Sequence, residues 1–190
     1  FVGGFKYNGD IGQAYWSAEI SRRPVNSTLL SYAGTFSPFI GKTWGGVRAT
    51  GVNLNLGYDQ GEFFGVWSNL SYHLLDGKNV TSNQRLRAMG GVYFRLNQVD
   101  PFRLTAGLNI LSWTHQHDYG EFTYGQGGYY SPNSYLSVSI PIDLYGRFNR
   151  LSYLLRISPA YGWSKDKEEP FYPNDEDMQA VAVNLQAFTN

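Results

Sequence analysis

The chain has 190 residues, 15 basic and 15 acidic side chains, and no cysteine. A net charge of zero gives no electrostatic case for nucleic acid, and the lack of cysteine excludes a disulfide framework and a thiolate metal site. No run approaches the roughly 20 apolar residues of a membrane helix. A β-barrel remains possible, because its lipid-facing and water-facing residues alternate and cancel in a hydropathy average.

Alternation of apolar and polar residues predicts about nine strands. They are expected over residues 1–7, 12–21, 45–58, 62–72, 84–96, 102–113, 135–144, 150–157 and 178–190. Asn8-Gly9-Asp10 is typical of a tight hairpin turn between the first two. The strand from 150 is expected to continue to Trp163, and residues 25–32 are the only segment that favours a turn or two of helix.

The hairpin within residues 127–158 is the most informative stretch. Leu136 and Val138 share one face of its first strand, and Ser137 and Asp143 share the other. Each strand has about ten residues, which is enough to cross a bilayer at a tilt. The polar face needs water, so the opposite face is expected to meet lipid or a protein core.

The predicted connections alternate between short and long. Short ones begin near Asn8, Asp59, Asn97 and Tyr145, and long ones begin near Arg22, His73, Thr114 and Ser164. Bacterial outer-membrane barrels alternate in this way and have even strand numbers. The predicted fold class is therefore all-β, a transmembrane antiparallel up-and-down β-barrel. Residues 1–190 are expected to be an incomplete barrel domain that lacks strands at both ends.

Two groups of aromatic residues are expected to mark the membrane interfaces. The group at the short-turn end is Tyr58, Phe63, Phe94, Phe102, Tyr145 and Phe148. The group at the long-loop end is Tyr32, Trp44, Tyr72, Trp113, Tyr135 and Trp163.

The polar face of the predicted strands supplies the candidate site residues, which would line a lumen. They are Glu19, Asn53, Asn55, Trp67, Asn69, Arg85, Arg87, Tyr93, Arg95, Arg103, Asn109, Trp113, Tyr135, Asp143, Arg150 and Arg156. One interpretation is simple solvation of a water-filled barrel. The other is a polysaccharide path, because sugars stack on aromatic rings and hydrogen-bond to planar polar groups, and a sliding polymer needs many weak sites.

A loop rich in glycine and tyrosine supplies gate candidates. They are Gly125, Gly128, Tyr129, Tyr130 and Pro132. One hypothesis is an ordered loop that folds over the mouth of the barrel, and the other is an exposed, mobile tip.

The histidines offer little chemistry. His115 and His117 share a face, but a metal site usually needs three or four ligands, so chance placement in a polar loop is the favoured interpretation. No G-x-S-x-G motif occurs, and a hydrolase triad needs serine, histidine and an acid in contact. The expectation is therefore no catalytic residue, no metal and no cofactor.

Several short motifs in order resemble one known family. They include Ser21-Arg-Arg-Pro-Val25, Leu30-Ser-Tyr-Ala-Gly34, Thr43-Trp-Gly-Gly-Val47, Gly128-Tyr-Tyr-Ser-Pro132 and Phe171-Tyr-Pro173. Together they resemble the C-terminal barrel of cellulose synthase operon protein C, an outer-membrane cellulose export porin. The resemblance implies about sixteen strands, a preceding periplasmic superhelix of tetratricopeptide repeats, and passage of a β-1,4-glucan from an inner-membrane cellulose synthase complex.

The expected function is thus a passive outer-membrane porin for a growing exopolysaccharide, with cellulose or a similar neutral glucan and outer-membrane lipid as partners. Three alternatives stay open. They are a general or sugar-specific diffusion porin, an outer-membrane enzyme, and a soluble carbohydrate-binding β-sandwich.

Overall fold

The chain forms one antiparallel sheet of eleven strands in a computed structural model that describes residues 1–189. The strands are β1 (Gly3–Ile11), β2 (Ala14–Pro24), β3 (Thr35–Ser37), β4 (Lys42–Asp59), β5 (Phe64–Lys78), β6 (Val80–Asn97), β7 (Phe102–His115), β8 (Ser134–Ser139), β9 (Ile142–Phe148), β10 (Leu151–Ile157) and β11 (Ala160–Lys165). The helices are α1 (Leu29–Ala33) and α2 (Glu176–Thr189). The long strands run up and down in chain order, and the sheet of the described residues is not closed. The predicted all-β, up-and-down architecture is therefore confirmed.

Register in the central strands follows the alternation of the sequence. Leu54 pairs with Leu70, which pairs with Ala88 on its other side, so apolar residues share one face. Asn55 pairs with Asn69 on the opposite face. Because side chains alternate along a strand, this register puts every predicted lumen residue of these strands on one side of the sheet.

Two predicted connections were wrong. The first hairpin turns at Gly12-Gln13, where Gly12 has a φ of +61°, and β1 runs straight through Asn8-Gly9-Asp10. The supposed loop after His73 is strand, and only Asn79, with a φ of +49°, separates β5 from β6. The sequence predicts a polar loop there because the segment does not follow the alternation of the other strands. Its apolar residues Leu75 and Val80 lie on the polar face of the sheet, where they are buried.

Prolines divide two predicted strands. Pro141 separates β8 from β9, and Pro159 lies between β10 and β11 on the opposing strand. Proline has no N–H to donate to a ladder, so pairing stops at both positions. The carbonyls still accept, from Ile140 N at 3.0 Å to Pro159 O and from Gly107 N at 2.9 Å to Pro141 O. The continuation to Trp163 is confirmed with this break.

The last predicted strand, over residues 178–190, was wrong. Residues up to 189 form α2, and Asn190 lies outside the described residues. Asp175 caps the helix, because its Oδ1 accepts from Met178 N at 3.1 Å, and Glu176 and Asp177 place negative charge in the first turn. The alternating Val181, Val183 and Leu185 were misread because three alanines favour helix as strongly as these residues favour strand.

Within the described residues, neither helix has the length and apolar character needed to cross a membrane.

The apolar face of the sheet is exposed and the polar face is partly covered, which is the reverse of the arrangement in a soluble protein. On the outer face, apolar side chains are open, with Leu136 42% and Ile140 49% exposed, and no second layer covers them in the described part of the chain. Others on this face are Val52, Leu54, Leu56, Leu70, Leu86, Leu108 and Ile110. The buried apolar cluster lies instead on the inner, polar face at the long-loop end, and consists of Val47, Ala49, Leu75, Val80 and Tyr129. Exposed apolar surface of this extent marks an interaction surface.

Candidate functional site

The register arranges the inner face in cross-strand rows. From the long-loop end, the first is His73, Arg85, His115, and the second is Glu19, Asn53, Ser71, Arg87, Trp113, Tyr135. The third is Ser17, Asn55, Asn69, Met89, Leu111, Ser137, and the fourth is Tyr15, Gly57, Trp67, Gly91, Asn109, Ser139. Tyr93, Arg95, Arg103, Asp143 and Arg156 share this face nearer the short turns, whereas Arg150 lies in the turn between β9 and β10.

This register also corrects the aromatic groups. Trp113 and Tyr135 face inward with Arg87, and Tyr145 faces inward with Arg103, so these three do not belong to an outer belt.

Amides at the centre of the inner face form a hydrogen-bonded network. Asn69 Nδ2 donates to Asn53 Oδ1 at 2.5 Å and to Asn55 Oδ1 at 2.7 Å, and Asn55 Nδ2 donates to Ser17 Oγ at 3.0 Å. Each amide holds its neighbours in one orientation. The network therefore presents neutral polar groups whose positions are fixed before any ligand arrives.

Aromatic rings on the inner face lie over glycines of the adjacent strand. A Cβ added at Gly57 would stand 2.0 Å from Cζ of Tyr15, and one added at Gly91 would stand 2.9 Å from Nε1 of Trp67. Only glycine lets these rings approach so closely. Each ring therefore lies close against the neighbouring strand.

Carboxylates on the inner face pair with arginines. Asp59 accepts from Arg95 at 2.6 Å and from the Tyr93 hydroxyl, and Asp143 accepts from Arg156 Nε at 2.8 Å. Glu19 accepts from Arg23 at 2.7 Å. Each of these three acids is therefore neutralised by an arginine.

The Tyr-rich loop (residues 116–133) packs against the inner face at the long-loop end. Residues 124–129 are all buried, and Tyr129 inserts into the apolar cluster. Thr28 Oγ1 donates to Gly128 O at 2.7 Å, and Thr81 N donates to Gly125 O at 2.9 Å. The loop is therefore an ordered part of the wall and not an exposed tip.

Asn83 fixes the start of this loop. Its Nδ2 donates to His117 O at 2.7 Å and to the Tyr129 hydroxyl at 3.1 Å, while its Oδ1 accepts from His117 N at 3.1 Å. The side chain thus bonds both backbone groups of His117. Burial raises the pKa of Tyr129 to about 12, so the phenol stays protonated at neutral pH.

The gate candidates occupy different parts of the packed loop. Gly125 and Gly128 have φ values of +97° and +64°, which favour glycine, and a Cβ at Gly128 would lie 2.8 Å from Leu30 Cδ2. Pro132 is buried, and its carbonyl lies 3.2 Å from His115 Nδ1. Tyr130 is the exposed member, at 54%, with its ring edge-on to that of Trp113.

The two neighbouring histidines have separate partners. His115 Nε2 accepts from Trp113 Nε1 at 3.3 Å, and His117 Nδ1 lies 3.0 Å from Glu169 Oε1. Across the described residues, no three His, Cys, Asp or Glu side chains come together in a group that could hold a metal ion. Both histidines join the loop to its surroundings.

Sequence reasoning missed the residues that hold the loop. Asn83, Thr28 and Thr81 were assigned to polar connections, and their partners are far away in the sequence. Only the inward position of Asn83 in an alternating strand could have indicated a role.

Comparison with known proteins identifies the family of the chain. The family model described as the cellulose synthase operon protein C C-terminus matches residues 1–190. The chain belongs to this family. The predicted resemblance is therefore confirmed, and it links the chain to cellulose biosynthesis.

Individual relatives agree with the family model. The putative cellulose synthase operon protein C of Escherichia coli O157:H7 is 44% identical over 90% of this chain and 15% of its own length. The cellulose synthase operon protein C of Xanthomonas axonopodis pv. citri (strain 306) is 34% identical over 96% of this chain and 12% of its own length. The cellulose synthase operon protein C of Komagataeibacter xylinus is 26% identical over 97% of this chain and 14% of its own length. The chain spans about 15% of the length of the curated relatives that it matches most strongly.

Proposed function

We propose that this chain is part of the wall of an outer-membrane porin that passively conducts a growing exopolysaccharide, most directly cellulose, out of the periplasm. The observation that carries the proposal is the inverted sheet, with open apolar side chains outside and polar rows inside. A bilayer is a solvent that stabilises such an outer face. A soluble β-sandwich would cover it with a second sheet.

Strand length supports a membrane position. β4 and β6 have 18 residues each and β5 has 15, whereas about 9–11 suffice to span the hydrocarbon core. The surplus lies at the long-loop end, where the apolar cluster and the Tyr-rich loop cover the inner face. We assign this end to the extracellular side, since long loops of bacterial barrels lie there.

The chemistry of the inner face suits a sliding neutral glucan. The rings of Tyr15 and Trp67 offer stacking faces, and the amide network offers hydrogen bonds of moderate strength. Several weak contacts in succession hold a polymer without trapping it. The driving force would come from synthesis by an inner-membrane cellulose synthase complex, with a periplasmic tetratricopeptide-repeat region as the intervening partner.

We further propose that the Tyr-rich loop gates the pore. Its hydrogen bonds from Thr28 and Thr81 hold it against the inner face, where it would narrow the mouth. Deletion of residues 125–128 in the full-length protein is expected to raise conductance in planar bilayers. Unchanged conductance would contradict gating.

The export role is tested in a strain that lacks the full-length gene. Wild-type full-length protein is expected to restore secreted cellulose, measured as cellulase-released glucose, and to conduct small sugars poorly in liposome-swelling assays. Rapid swelling with ordinary cellulose secretion in the deletion strain would instead identify a diffusion porin.

We also propose that the chain has no catalytic role. Because His115 and His117 hold the loop, a test of catalysis uses His73→Gln alone, which leaves the loop contacts in place. Secretion at the wild-type level is expected. Loss of secretion by a variant that inserts normally would favour an outer-membrane enzyme.

A further inference from the structure

Two arginines on the inner face combine partial burial with the lack of an ion pair among the described residues, whereas Arg103, which also lacks one, is exposed. Arg23, Arg95 and Arg156 each meet a carboxylate, at 2.7, 2.6 and 2.8 Å respectively. Arg85 and Arg87 form no ion pair with any described residue, and the Nε atom of each is buried without a hydrogen-bond partner there.

The two adjacent strands, β5 and β7, place no carboxylate opposite this pair. On β5, Arg85 faces His73 and Arg87 faces Ser71; on β7, they face His115 and Trp113. Tyr129 of the Tyr-rich loop lies near Arg85, and its phenol is protonated at neutral pH.

The neighbouring polar groups are already engaged or are not acidic. Both ring nitrogens of His115 have partners, and the nearby carboxylate of Glu19 accepts from Arg23. Arg87 Nη2 lies 3.5 Å from Met89 Sδ, which is a weak contact. The described part of the wall therefore leaves two like charges uncompensated.

Such a pair is costly unless something compensates it. Residues two apart on one strand lie roughly 7 Å from each other, so the two guanidinium groups repel. Partly buried charge without a partner destabilises a fold. An arrangement of this kind is relieved when an anion binds, and the planar guanidinium matches carboxylate and phosphate oxygens.

A cleft is present at the same place. It has a volume of about 660 Å³ and is lined by Arg85, Arg87, His73, Trp67 and Trp113 among others. Ligand sites have volumes in this range. The indoles would contact the ring of a sugar while the guanidinium groups reach a charged substituent on it.

We propose that the Arg85–Arg87 cleft binds an anionic group, a carboxylate or a phosphate ester, that is carried by a glycan in the pore. The inference rests on the proposed export function and names a substituent that the path accepts. A polymer in which only some sugars carry such a group would pause at the cleft, while the third and fourth rows, which contain no charged side chain, treat all sugars alike.

The test uses full-length protein in detergent and isothermal titration calorimetry. The ligands are cellotetraose, cellotetraose oxidised to carboxylates at C6, and cellotetraose bearing a phosphate ester. At low salt, at least one anionic ligand is expected to bind about tenfold tighter than cellotetraose, because charge-assisted hydrogen bonds contribute at this level. The advantage should shrink at high salt. Which anion gains more identifies the source of the charge.

Matched variants locate the effect. Arg85→Gln with Arg87→Gln is expected to abolish the advantage and leave the affinity for cellotetraose within about twofold. Arg103→Gln removes the same charge from an exposed position on the inner face near the short turns and should retain the advantage. Heat-modifiable electrophoretic mobility checks that each variant is folded.

Equal affinity for neutral and anionic ligands in the wild-type protein would overturn the inference. So would an advantage that survives the double substitution or that Arg103→Gln removes equally. Cellulose secretion by the same wild-type protein is scored separately. If secretion persists while the advantage is absent, only the anion site fails; if secretion and conductance are absent, the export function fails.

Discussion

Asn83→Ala provides the sharpest test of how the Tyr-rich loop is held. The substitution removes three hydrogen bonds to the loop, two with the backbone of His117 and one with the Tyr129 hydroxyl. At about 1 kcal/mol each they contribute about 3 kcal/mol, and unpaired buried partners add about 1 kcal/mol. We therefore expect the free energy of local loop opening to fall by about 3–4 kcal/mol.

Hydrogen–deuterium exchange of the full-length protein measures this change. Amides in residues 117–132 are expected to exchange more than a hundredfold faster in the variant, while peptides from β4 and β5 stay unchanged because their ladders are intact. Gln84→Ala is the control, since that neighbouring side chain faces outward and its Oε1 accepts from the Tyr72 hydroxyl and not from the loop in the described part of the chain. If the loop keeps its protection in Asn83→Ala, the reasoning that Asn83 holds it is refuted.

Three further predictions address the two faces and the loop. Leu54→Arg places a charge on the outer face and should lower the stability of the assembled barrel by about 2–4 kcal/mol. Asn109→Arg places the same charge on the inner face and should be tolerated. Heat-modifiable electrophoretic mobility compares the two variants. Gly57→Val should displace the Tyr15 ring that lies over it and weaken cellotetraose binding in calorimetry, and equal weakening by outward-facing Gly90→Val would argue against stacking. Burial raises the pKa of Tyr129 to about 12, so its contribution to loop stability is retained below pH 10 and lost as pH rises towards 12. The difference between the absorbance titrations of wild type and Tyr129→Phe should have its midpoint near 12. A midpoint near 10 would show that the phenol is exposed to solvent.

The sequence predicted the wall well because a strand with different solvents on its two faces must alternate. Leu54 and Asn55, or Leu86 and Arg87, are assigned to opposite faces by parity alone, and the register agrees. Alternation failed at α2, where helix-favouring alanines and the Asp175 cap decided the structure. It also failed after His73, where inward apolar residues are covered by a loop and not by lipid.

The packing of the Tyr-rich loop could not be predicted in the same way. Its partners, such as Thr28 and Asn83, are separated from it by tens of residues, and no periodic pattern encodes a side chain that bonds one carbonyl. The sequence left open whether the loop was ordered or an exposed, mobile tip. Where it folds depends on the sheet that forms around it.

In the proposed export path, the glycines beneath the inner rings determine how much clearance a glycan would have. A tyrosine or tryptophan ring that projected away from the sheet would narrow such a pore. Gly57 and Gly91 let the rings lie against the sheet, so such a pore would gain aromatic surface and largely keep its cross-section. If the chain conducts a glycan as proposed, bulk at either glycine would obstruct that glycan even with every polar contact intact.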